Sequence, residues 1–212
     1  MYISRNIPQL IRLFKPSSAR FNFGLFALIA ACILGACSAT FNWRIVRADD
    51  LAYEALYPAK PNRAQRTLVI DGVSYTMTME AAKAQDTVFA VGTIELGKDE
   101  GNGDKILSWL KENTSKSLGS DINVEALSNI SFSVAGSQGL VMPATGIKIS
   151  GKGPDQLMKE LQVRWVRRID GAGVERIYQV TTLQSFEKQI EDNQLNLLKE
   201  HIETFYAGFH PY

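Results

Sequence analysis

Four arginines crowd one short stretch of the chain. Arg164, Arg167, Arg168 and Arg176 all fall within "QVRWVRRIDGAGVERIY", residues 162–178. A guanidinium group presents a planar fork of N–H donors that matches carboxylates and phosphates. On an extended strand, side chains two apart share a face, so Arg164 lies with Arg168, and Val163 and Trp165 lie with Arg167. Asp170–Gly173 reads as a turn, which brings Arg176 back opposite one of them. Arg164, Arg168 and Arg176 therefore make a candidate anion- or partner-binding patch. The plain alternative is a solvated sheet face that keeps an edge from aggregating. Tyr53, Tyr57, Tyr75 and Tyr178 carry the same double reading, a ligand groove or cross-strand packing.

Signs of catalysis are sparse. His201 sits beside Glu200 and close to Glu203 in the final helical stretch, and His210 belongs to the tail "GFHPY". Neither stands in an HExxH or His-x-His pattern, so no metal site is expected. There is no G-x-S-x-G elbow. "GSQG" (136–139) and "GKGPD" (151–155) read as turns, since neither is followed by the lysine and hydroxyl residue of a phosphate loop. The expectation is a binding protein with no catalytic residue and no cofactor.

Both cysteines, Cys32 and Cys37, lie near the N-terminus. Phe21–Ala36 is free of charge, and Arg5, Arg12, Lys15 and Arg20 precede it. A positive segment, an apolar run and a small-residue exit are the layout of a secretory signal. The exit, Leu34-Gly35-Ala36-Cys37, resembles the bacterial lipobox. That motif implies acylation of the Cys37 thiol and cleavage before it, giving a membrane anchor of two or more acyl chains. Two alternatives stay open. Residues 23–41 are uncharged and just long enough to form an uncleaved transmembrane helix. A signal peptidase cut after Ala39 gives a free domain instead. In all three the cations stay on the cytoplasmic side and the rest of the chain faces the periplasm. With Ser38 after the cysteine, the lipobox resemblance favours the outer membrane.

Four of the 23 basic residues and none of the 22 acidic ones precede Ser38, so the remainder carries a net charge of −3. Such a surface lacks the basic field that draws nucleic acid. The organisation expected is residues 1–37 as signal or anchor, 38–42 as tether and 43–212 as a single domain.

Within that domain, short strands are expected at Trp43–Arg47 and Tyr53–Tyr57, the second ended by Pro58 and Pro61. A meander over 65–96 turns at Asp71-Gly72 and at Ala84-Gln85-Asp86. Val73, Tyr75, Met77 and Met79 alternate there with Ser74, Thr76 and Thr78, the pattern of a half-buried strand. Gly97–Gly103 reads as a loop. A helix follows, with Asp104 as cap, an apolar stripe of Ile106, Leu107, Leu110 and Leu118, and Gly119 as its stop. Strands split by Ala135–Gln138 and the 159–184 hairpin come next. A helix over Phe186–Phe209 ends the chain, with Ile190, Leu195, Leu198, Ile202 and Phe205 at helical spacing.

These phrases in order, "FNWRIV", "YEALYPAKP", "YTMTMEAAKAQDTVFAVGTIEL", "RIYQVTTL" and "ETFYAGF", resemble small proteobacterial envelope lipoproteins of unassigned function with a PsbP/Mog1-like layout. The resemblance implies an α+β fold, an antiparallel sheet sandwiched with helices, preceded by an N-terminal signal or anchor helix. It also implies a lipid-anchored, periplasm-facing binding or assembly module, with the membrane and an envelope protein as partners. The alternative function is a periplasmic small-ligand or lipid-binding domain held by an uncleaved transmembrane helix.

Overall fold

Asp71 and Gly72 both take positive φ, 50° and 81°, the pair of conformations that a two-residue hairpin needs. Asp71-Gly72 joins strands of nine and twelve residues in unbroken antiparallel register. The same logic of local turns and long alternating strands runs through the rest of the computed structural model, which describes residues 41–97, 101–116, 122–153, 155–186 and 192–212. Residues 1–37 and the Ser38–Thr40 part of the tether lie outside the described residues, as do Leu118, Gly119 and Pro154.

The strands are β1 (Arg44–Ala48), β2 (Tyr53–Tyr57), β3 (Asn62–Ile70), β4 (Val73–Ala84) and β5 (Thr87–Leu96). Helix α1 (Gly103–Ser115) follows, then β6 (Ile122–Ser133), β7 (Val141–Lys152), β8 (Met158–Ile169) and β9 (Glu175–Phe186). Helix α2 (Asp192–Ala207) and the two-residue β10 (His210–Pro211) complete the fold. A single 3₁₀ turn, Asp49–Leu51, links β1 to β2.

The expected α+β sandwich of a sheet with helices, the PsbP/Mog1-like α/β/α arrangement, does not form. The chain is predominantly β, and its strands make two sheets, a seven-stranded one in the order β3-β4-β5-β9-β8-β7-β6 and a three-stranded one in the order β1-β2-β10. Among the described residues only two helices occur, of 13 and 16 residues. The physical reason lies at both ends of the domain. Pro58 and Pro61 detach β2 from the meander, so β1 and β2 fold over the large sheet instead of extending it. The tail then pairs with β2, placing His210 opposite Glu54 and Pro211 opposite Tyr53. The final helix does not begin at Phe186, which ends β9; its described part is Asp192–Ala207, and Ile190 lies outside the described residues.

Strand alternation gives the large sheet two buried faces. On the first, Phe89 and Val91 of β5 and Tyr178 and Val180 of β9 meet Tyr53 and Tyr57 of the small sheet, Phe205 and Tyr206 of α2, and Phe209. On the second, Met77, Ile94, Trp165 and Ile177 pack against Ile106 and Leu110 of α1. Three tyrosine hydroxyls fix the small sheet over the large one. Tyr53 donates to the Glu80 carboxylate at 2.6 Å, and Tyr57 donates to the Glu80 carbonyl at 3.3 Å. Tyr178 donates to the carbonyls of Leu51 and Ala52 at 3.1 and 2.9 Å.

Candidate functional site

Register places the three arginines of the candidate patch on the first face of the large sheet. Arg168 and Arg176 stand directly opposite each other, and Arg164, four residues back along β8, opposes Val180. They do not form one open patch. The Arg164 side chain is only 14% exposed. Its Nη2 donates to both oxygens of Glu203 on α2, at 2.9 and 3.0 Å. Its guanidinium carbon lies 3.8 Å from the centre of the Tyr206 ring, a cation–π contact. Arg176 holds Glu95 of the neighbouring strand through Nε and Nη2, and Asp170 of its own hairpin turn through Nη1. Arg168 takes part in no ion pair among the described residues. Its Nη1 lies 3.6 Å from the Met142 sulfur, and its Nε is buried without a partner. Arg167 points to the other face, where it pairs with Glu175 and with Asp104 at the start of α1. Asp104 thus serves as an ion-pair partner, and no side chain caps α1.

The expected tyrosine groove is divided. Tyr53, Tyr57 and Tyr178 are core residues, and burial pushes all three hydroxyls well above the ordinary tyrosine range. Tyr75 is buried too, in the core of the second face, and it also borders a cleft of about 410 Å³ on β4 and β5. Its other walls are Leu51, Val73, Ser74, Thr76, Thr78, Thr93, Glu95 and Asn102. Thr78 pairs across the strands with Thr93, and Thr93 in turn with Tyr178. Thr78 also accepts a hydrogen bond from Gln65 at 3.2 Å. Thr93 is 2% exposed, and its hydroxyl has no partner. Thr78 is legible in the sequence as part of the polar half of an alternating strand, and Thr93 is not. That alternation implies a solvated face, whereas Thr78 and Thr93 are buried.

A second cleft, of about 430 Å³, opens between α2 and the turn from β4 to β5, with Phe41, Asp86, Gln184 and His201 among its walls. His201 stacks on Phe41 with ring centres 3.8 Å apart. His210 lies 3.2 Å through Nδ1 from the Ser133 carbonyl. Among the described residues no group of His, Cys, Asp or Glu is placed to hold a metal ion. Nor is any helix there long and apolar enough to cross a membrane. Cys37, the candidate lipidation site, lies outside the described residues. The chain matches no protein-family model, and no curated protein matches it.

Proposed function

We propose that the chain is a lipid-anchored module facing the periplasm of a bacterial envelope, and that it binds a partner and helps to assemble an envelope complex. Leu34-Gly35-Ala36-Cys37 at the end of a charge-free run supports the anchor, and Ser38 favours the outer membrane as its destination. One structural observation carries the binding role. β6 is the last strand of the large sheet, and no other strand among the described residues pairs with its outer side. Its twelve residues include one charge, Glu125, and no proline. Edge strands are usually guarded by lysine, proline or a twist, because open N–H and C=O groups invite another strand. The opposite edge, β3, carries Arg63 and Arg66. β6 is interrupted only by the irregularity between Leu127 and Ile130. Such an edge suits addition of an extended partner segment.

A photo-crosslinking residue at Val124, which is 45% exposed, tests this reading in intact membranes. The expected result is a discrete adduct, lost when Ala126 is changed to Lys. The same diffuse adducts as from a crosslinker at exposed Glu112 on α1 would overturn it. The clefts support a second reading, a small-ligand domain held by an uncleaved N-terminal helix.

A further inference from the structure

We propose that the cleft over β4 and β5 is a binding site for a neutral carbohydrate. The inference deepens the small-ligand reading and does not depend on how the chain is anchored. At about 410 Å³ the cleft falls in the range of small-molecule sites. Its walls are rich in hydroxyls, from Ser74, Thr76, Thr78 and Thr93, with Asn102 beside them. A hydroxyl both donates and accepts, so a wall of them complements a ligand whose own groups do the same. Among the described residues Glu95 is the only charged group lining the cleft, and Arg176 already neutralises it, with contacts of 2.9 and 2.6 Å. Among the described lining residues no free charge compensates that of an ionic ligand once water leaves. Leu51 and Val73 offer apolar surface to the C–H face of a sugar ring.

Thr93 supplies an independent pointer. A buried hydroxyl without a partner is a standing cost to folding, and native proteins retain few of them. Thr93 is such a residue, and it borders the cleft. In the proposed complex a sugar hydroxyl in the cleft supplies the partner that Oγ1 lacks.

The test is calorimetric titration of the full chain, in a detergent without a sugar headgroup, with maltose and with the β-linked disaccharide of N-acetylglucosamine. We expect one of them to bind with a Kd of about 1 mM or tighter. The near-isosteric Thr93→Val should weaken that binding about tenfold and raise Tm, because the unpartnered hydroxyl is gone. Thr76→Val, on the same face, should also weaken binding. Absence of heat with both sugars overturns the proposal. So does equal binding by both variants, a lower Tm for Thr93→Val, or binding confined to charged sugars such as glucuronate. None of these outcomes bears on the anchor, which a separate mass measurement decides.

Discussion

The most consequential single contact is between Tyr53 and Glu80. Glu80 is a carboxylate 8% exposed, beneath the small sheet, and the Tyr53 hydroxyl donates to it at 2.6 Å. Burial keeps that hydroxyl protonated throughout the physiological range, so it remains a donor. Tyr53→Phe removes the donor and leaves the buried carboxylate short of a partner. The expected loss is about 1–3 kcal/mol in a denaturant titration. Gly103 illustrates a different constraint. A Cβ there meets Oε1 of Glu175 and Nε of Arg167, so Gly103→Ala must displace the pair that ties α1 to the sheet. Its expected cost is about 1–3 kcal/mol, again by denaturant titration. The sequence places Tyr53 and Tyr57 at the two ends of one short strand. It did not show Glu80 as their partner, because that contact crosses from one sheet to the other.

The β8–β9 hairpin has its own titratable clasp. Asp170 accepts from Arg176 Nη1 at 2.8 Å, and from the N–H groups of Val174 and Ala172 at 2.9 Å. Arg176 and these amides hold the Asp170 carboxyl below its ordinary value of 3.8. A carboxylate whose pKa falls on folding stabilises the native state above the unfolded pKa. That contribution disappears as pH drops through the folded value. The protection of the Ala172 and Val174 amides, measured relative to their intrinsic exchange rates, should therefore fall below about pH 3.8, and Asp170→Asn should remove that loss of protection with pH. This hairpin, like the one at Asp71-Gly72, was legible because its turn residues are local. The pairing of β5 with β9 was not, because it joins segments separated by α1, β6, β7 and β8. β10 was missed for the same reason. Nothing in "GFHPY" shows that His210 and Pro211 will find Glu54 and Tyr53.

At the scale of the whole domain, most strands stand where alternation placed them, yet the architecture differs from the expected one. Helical periodicity located α1 and α2 but gave them the weight of full layers. Sheet-on-sheet packing covers much of the first face, through Tyr53, Tyr57 and Tyr178, with α2 beside it. Among the described residues α1 is the one helix on the second. The proposed binding role rests on the outer edge of β6, with which no other strand among the described residues pairs. The reading depends first on how the chain is attached to its membrane. The most direct measurement is the intact mass of the protein extracted from membranes, beside that of Cys37→Ser. The account predicts a chain beginning at Cys37 with added acyl mass, absent from the variant. An unmodified full-length chain, or an unmodified chain beginning near Thr40, would contradict it.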